Sequence, residues 1–327
     1  MGLRMNLKSF LKNNYLTKNL YARLQKHRHN KIMKSKLKGK YRFVNRSQGK
    51  EKLCVVLAGY KEFAYPAVFG RLKKYASDDI DVCVVFSGGG TNLKHCTVLN
   101  KLCQENNWSF LSLKKNNVAL AQNKAISLHP NAKYIYKLDE DIFITKNYFS
   151  NLLKAFLHAM EGDYSPGVMA PIIPINGYGH LRILDRLGLR EIYENRFEKP
   201  KYIASPRRKI ENSLDVAKFF WDGKCVPSID ELNEKFMSEQ IEERPCAIRF
   251  SIGAILFMRE LWEDMGYFTV HKGSGMGEDE VDLCNYCNIN SRPIMVSENV
   301  VVGHLSFGSQ NAGMKDFYLS NPDIFLP

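Results

Sequence analysis

The 327-residue chain carries 47 Lys and Arg against 34 Asp and Glu, a formal charge of +13, and 45% of it is hydrophobic, enough to bury a large core. No stretch of about 18 uncharged apolar residues occurs, so a membrane-spanning helix is not expected, and the basic N-terminus lacks the apolar segment of a secretion signal. Eight scattered cysteines without a disulfide framework suit reduced thiols in the cytoplasm, and Cys284 and Cys287 read as helix residues, since no second pair or nearby His completes a zinc set.

The charge is uneven. Residues 1–52 hold sixteen of the bases and a single acid, Glu51; the rest, with 31 bases and 33 acids, is close to neutral. The basicity therefore belongs to an arm, residues 1–49. In it Leu7, Phe10, Leu11, Tyr15, Leu16, Leu20 and Leu24 recur at helical spacing between lysines. Such a helix reads first as an element lying on an anionic membrane surface through residues 1–48, on its inner face, and second as a helix packed on the body. Nucleic acid ranks last, because base-stacking aromatics are few and no nucleic-acid motif accompanies the charge.

From residue 53 short apolar runs alternate with helical patterns. Leu53–Leu57 is a buried strand ending at Ala58-Gly59, followed by a helix with Pro66 near its start and Val68, Leu72 and Tyr75 on one face. Asp81–Phe86 is a second strand, stopped by Ser87-Gly88-Gly89-Gly90; Leu93–Asn106 is helical and Trp108–Leu113 a third strand. Val118–Leu128 is helical and Tyr134–Leu138 the fourth strand. This alternation implies an α/β fold with a mostly parallel sheet flanked by helices, Rossmann-like, binding ligands at the carboxyl ends of its strands. There stand Asp139, Glu140 and Asp141. Asp139 and Asp141 are two apart and point the same way from an extended chain, as hard oxygen ligands for Mg²⁺ or Mn²⁺ would. An acidic turn ahead of the next helix is the plainer reading, and the buried strand before it together with the apolar run Ile142–Ile144 after it favours the metal.

The LDED sequence after a strand resembles the DxD motif of GT-A glycosyltransferases, above all glycosyltransferase family 2 and the β-1,4-galactosyltransferase group. Upstream, Asn117 to Ala125 (NVALAQNKA) is similar to the family's N-x-G-x-x-x-A-R-N-x-G stretch beside the nucleotide, with Gln122 in place of the usual Arg. Ser87-Gly88-Gly89-Gly90 lacks the family's nucleoside-contacting Asp. Downstream, Ser251–Arg259 with Leu261-Trp262 and Gly266-Tyr267-Phe268 resembles the family's strand, helix and GGFDE turn, and Gly275-Met276-Gly277-Glu278-Asp279-Glu280-Val281-Asp282-Leu283 resembles its G-x-G-E-D-x-D-L element. A capped helix with an acidic first turn is the bland alternative for that element.

The resemblance implies metal-dependent transfer of a sugar, with inversion, from a nucleoside-diphosphate donor (UDP favoured) to a glycan or lipid-linked acceptor. It makes Asp279 the base, with Glu278 orienting the acceptor and Glu280 in reserve. It places Ala58, Tyr60, Glu62, Ser87, Gly88, Asn117, Gln122, Asn123, Asp139 and Glu140 around the donor. Asp139 and Asp141, with His304 after the apolar run Val300–Val302, become the Mn²⁺ or Mg²⁺ ligands; a structural role is the alternative for His304.

In residues 176–247, Tyr178-Gly179-His180 and Ser205–Lys209 read as loops, solvated or facing an acceptor; Leu214–Trp221 is a helix whose Trp221 stacks on a sugar or fills the core. The expected organisation is the arm and then one catalytic domain over residues 50–327, its donor half 50–175 and its acceptor half 176–327. No Q-x-x-R-W motif suggests a processive synthase. An inactive scaffold tethered by the arm and a sugar-nucleotide pyrophosphorylase are the alternatives; Ala58-Gly59-Tyr60-Lys61-Glu62 fits the phosphate loop of the latter poorly.

Overall fold

A computed structural model of the chain describes residues 27–28, 31–88 and 93–327. The amphipathic pattern from Leu7 to Leu24, and Gly89 and Gly90 of the glycine run, lie outside them.

The core is a nine-stranded mixed sheet in the order β1-β4-β3-β2-β5-β9-β7-β10-β8. Its strands are β1 (Tyr41–Val44), β2 (Lys52–Ala58), β3 (Ile80–Ser87), β4 (Ser109–Leu113), β5 (Tyr134–Asp139), β7 (Val168–Ile172), β8 (Glu243–Pro245), β9 (Ala254–Met258) and β10 (Ile294–Val301). Strands β4, β3, β2 and β5 pair in parallel, as do β7 and β10. Strand β9 runs antiparallel between β5 and β7, and β1 and β8 are antiparallel edges. The mostly parallel α/β sheet expected from the alternation is therefore present. Buried on both faces, these strands read as continuous apolar runs: Leu53 to Val56 and Val82 to Phe86 are all at most 4% exposed. The intervening helices Tyr65–Tyr75, Leu93–Glu105 and Val118–Ser127 fall where the 3.6-residue pattern placed them.

Two parts of the fold carry little sequence signal. Strand β1 is set among basic residues, yet it pairs along its length with β4. Beyond it, Asp81 accepts hydrogen bonds from the backbone N–H groups of Gln48, Gly49 and Lys50. The folded body thus begins inside the basic segment. Residues 176–236 are helical: Gly179–Arg186, Arg190–Arg196, Lys209–Asn212, Leu214–Trp221 and Ile229–Phe236. They are not a solvated insertion, because Tyr193, Val216, Phe220, Ile229 and Leu232 are all at most 1% exposed. His180, expected in a loop, lies buried on the first of them with Nδ1 at 2.8 Å from the Asn176 carbonyl, and burial pushes its pKa down to about 4.

A small second ladder pairs β6 (Ile142–Phe143) with β11 (Gly303–His304), antiparallel, with His304 opposite Ile142. It brings the chain after β10 back against the acidic triplet. Trp221 explains the glycine there: a Cβ at Gly303 would lie 2.4 Å from the indole, and the indole N–H donates to the His304 carbonyl at 3.1 Å. Trp221 is a core residue that backs His304.

Candidate functional site

The carboxyl ends of β2, β3 and β5 open on a cavity of about 370 Å³. Of the sequence candidates, Ala58, Tyr60, Ser87, Asp139, Glu140, Asp141, Asp279 and His304 line it, and so do Lys61, Lys137 and Glu280. Glu62 and Glu278 are exposed on the surface and do not line it. Gly88, Asn117, Gln122 and Asn123 do not line it.

The three consecutive acids have three different partners. Asp139 meets the Nζ of Lys137 at 2.6 Å. That lysine is 3% exposed, within strand β5, and also donates to the Ile252 carbonyl at 2.8 Å. The Asp139 side chain is 38% exposed toward the cavity; enclosure by the surrounding protein raises its pKa, and Lys137 opposes the rise. Glu140 turns inward and clamps the loop after β2, accepting from the backbone N–H of Gly59 and of Tyr60, both at 2.7 Å, and from the Tyr65 hydroxyl at 2.8 Å. It shapes this side of the cavity by holding backbone, with little of itself free for a ligand. Asp141 is 4% exposed and faces Lys61 Nζ at 2.5 Å and His304 Nε2 at 3.3 Å. Burial works against its ionisation, but the ammonium and the ring outweigh burial and hold its pKa well below the carboxylate range.

The His304 ring is fixed from behind, its Nδ1 lying 3.0 Å from the Ile175 carbonyl. A carbonyl only accepts, so Nδ1 carries the proton and Nε2 points at Asp141. A lone pair on Nε2 facing a carboxylate oxygen requires a proton or a cation between them. The backbone-tethered imidazole and the carboxylate form the mixed O,N donor pair that Mn²⁺ accepts, with the outer ring nitrogen anchored as in metal sites. Among the described residues no three His, Cys, Asp or Glu side chains gather into a metal cluster. Asp139, the third expected ligand, is engaged by Lys137. Asp141 and His304 would therefore supply two ligands to a divalent ion, and the rest of its shell would have to come from outside the chain.

The opposite wall is the start of helix Glu278–Ile289. Gly275 and Gly277 ahead of it have φ of 62° and 80°, a left-handed backbone that glycine takes without strain. The turn they make puts Asp279 inside, 3% exposed, and leaves Glu278 outside. Asp279 Oδ2 accepts from Gln122 Nε2 at 2.7 Å. Gln122, at the position where Arg is usual in the resembled family, is thus a partner of the acidic helix, and its own Oε1 is buried with no hydrogen bond. Glu280 lies 3.1 Å from Arg249, whose side chain is 44% exposed. Burial, only partly offset by that solvated guanidinium, raises the Glu280 pKa to about 7.

The NVALAQNKA stretch braces this wall. Asn117 caps its helix, accepting from the Leu120 N–H at 2.9 Å, and donates to the carbonyls of His271 and Gly273, both at 3.1 Å. Asn123 accepts from the Trp262 indole and the Phe268 N–H and donates to the Phe268 carbonyl. Both join two distant segments and do not touch the cavity. Ser87 lines it while its hydroxyl accepts from the Asn117 N–H at 2.9 Å; the Gly88 N–H donates to the Leu113 carbonyl at 3.1 Å. Tyr60 is 56% exposed at the mouth, its hydroxyl accepting from the Asn116 amide.

Sequence reasoning passed over Lys61 and Lys137 as site residues. Lys137 carried a signal, a charge in the middle of a buried strand.

No protein-family model matches the chain, and no curated protein matches it. Solved structures of similar architecture include GalNAc-T7 with UDP, GalNAc and Mn²⁺, at 11% identity over 86% of this chain and 52% of that one, TM-score 0.48. The mannosyltransferase PcManGT from Pyrobaculum calidifontis, in complex with GDP-Man and Mn²⁺, aligns at 13% identity over 87% and 68%, TM-score 0.47. TarS 1-349 of S. aureus aligns at 14% identity over 84% and 64%, TM-score 0.45. The chain spans about half the length of the first of these. No helix among the described residues is long and apolar enough to cross a membrane.

Proposed function

We propose that the protein is a GT-A-type glycosyltransferase that moves a sugar, with inversion, from a nucleoside-diphosphate sugar to a glycan or lipid-linked acceptor, using Mn²⁺ or Mg²⁺. The observation that carries this reading is that Asp139 and Asp141, at the end of β5, share one cavity with Asp279 and Glu280, at the start of an acidic helix on the far wall. The resemblance of both elements to family 2 motifs points the same way.

The chemistry follows from that division. On the first wall Asp141 and His304 would hold the cation, which when bound would neutralise charge on the leaving diphosphate. Glu140 presents the loop Gly59–Lys61 to the donor. On the second wall the acceptor hydroxyl binds with its oxygen toward the anomeric carbon. Its proton passes to the Asp279 carboxylate, the new C–O bond forms, and the bond to the diphosphate breaks on the opposite face. Gln122 orients Asp279 through Oδ2, leaving the other oxygen for the proton. The donor is UDP-linked and the sugar a hexose or N-acetylhexosamine in this reading, and the basic N-terminal arm brings the domain to an anionic membrane surface where lipid-linked acceptors reside.

Calorimetry of UDP binding with and without Mn²⁺, for the wild type and Asp141→Ala, tests it. Metal-enhanced binding abolished by the substitution is expected. Binding of another nucleotide in place of UDP would change the donor alone. No nucleotide binding under any condition would favour a catalytically inactive scaffold.

A further inference from the structure

The position of Lys61 goes beyond this division and rests on it. The lysine sits in the loop whose backbone Glu140 clamps, so its stem is fixed at the rim of the cavity. Its ammonium lies on Asp141 Oδ2, the same atom that faces His304 Nε2, and reaches on to the Ser306 carbonyl at 3.2 Å. The side chain is only 16% exposed and the carboxylate 5%. One buried carboxylate oxygen is thus approached by a tethered cation at the point where the Asp141–His304 pair would bind a divalent one.

We propose that Lys61 is a built-in counter-cation of Asp141 that competes with the divalent metal, and that it yields this position when a diphosphate enters and offers the ammonium a second anion. An ammonium and a dication on one poorly solvated oxygen repel each other, so the metal enters only when the lysine moves away. The flexible four-carbon stem, with three rotatable donors, allows the ammonium to swing from the carboxylate to a phosphate oxygen without backbone movement. Metal and diphosphate then bind cooperatively, each favouring the state the other needs, through a single side chain. Without nucleotide the site rests closed on its own cation.

The test is calorimetry of Mn²⁺ alone, without nucleotide, on the wild type and on Lys61→Met, which keeps most of the stem and removes the charge. Wild-type protein is expected to bind Mn²⁺ weakly and the variant at least about tenfold more tightly, as removal of a close like charge requires. In EDTA the order reverses: UDP binds the wild type more tightly than the variant, because the ammonium is its counter-charge there. Equal or weaker Mn²⁺ binding by Lys61→Met overturns the proposal. Lys61→Gln, which removes the charge and keeps a polar N–H donor, provides the same comparison should the methionine variant not fold. The metal titration needs no nucleotide, so a failure of UDP to bind either protein strikes the glycosyltransferase reading, while the Mn²⁺ affinities of the two proteins still decide the role of Lys61.

Discussion

The two acidic walls of the cavity are built from the same kind of side chain and differ in their partners. At the end of β5 each acid is committed: Asp139 to Lys137, Glu140 to two backbone amides and a tyrosine, Asp141 to Lys61 and His304. At the start of helix Glu278–Ile289 the commitments are looser. Asp279 has one neutral amide donor and Glu280 one half-solvated guanidinium. Beside Lys61 and His304 the Asp141 carboxylate keeps its charge, whereas Glu280, with only a solvated guanidinium nearby, titrates at about 7. The difference suits holding an anionic donor on one side and accepting a proton on the other.

Replacing Asp141 with Ala attacks the comparison most directly. It is expected to remove metal-dependent UDP binding and to lower donor turnover by about 10³-fold, the scale on which loss of a key electrostatic group costs catalysis. Near-normal turnover would mean that the first wall does not hold the diphosphate.

A second pair of variants divides the far wall. Asp279→Asn is expected to lower turnover by about 10²- to 10⁴-fold, the usual contribution of a general base, while UDP affinity is kept. Glu280→Gln is expected to cost less than about tenfold. Reversal of that order, with loss of a pH limb near 7, would transfer the role of base to Glu280.

The raised pKa of Glu280 also predicts a pH effect on stability. In the folded chain the carboxyl titrates at about 7 instead of 4.5, so the folded state binds the extra proton between those values and stability falls as pH rises through them. Glu280→Gln removes this loss and is expected to stabilise the protein by about 1–3 kcal/mol at pH 8, and by little at pH 4, in denaturant melts. An acid whose removal steadies the fold is one retained for another purpose. Unchanged stability at pH 8 would place Glu280 in solvent and erase the contrast between the walls.

Gln122→Ala is the smallest of these changes. It leaves Asp279 without its hydrogen bond and is expected to reduce kcat several-fold with little change in UDP affinity, since a modest neutral hydrogen bond is lost. A selective loss of UDP binding would instead return Gln122 to the donor side.

Much of this was legible along the chain. The parallel strands show as apolar runs because both faces are covered, and DxD and GxGED could be picked out by their resemblance to family 2 motifs. Strand β1 was not legible: Tyr41–Val44 is short and set among bases, and only pairing with β4 makes it a strand. Nor were the helices of residues 176–236 other than Leu214–Trp221, short amphipathic pieces that acquire their burial from one another.

Local pattern, then, was enough to determine the alternating strands and helices from Leu53 to Leu138 and the two acidic clusters, since each depends on residues near in sequence. Which acid does what was decided by the tertiary structure. Asp141 meets His304 because β6 pairs with β11, Asp279 meets Gln122 because two helix starts converge, and Lys61 reaches Asp141 because Glu140 folds its loop inward. A carboxylate's charge and role are set by the cations and donors within a few ångströms of it, and those neighbours come from parts of the chain that no local pattern connects.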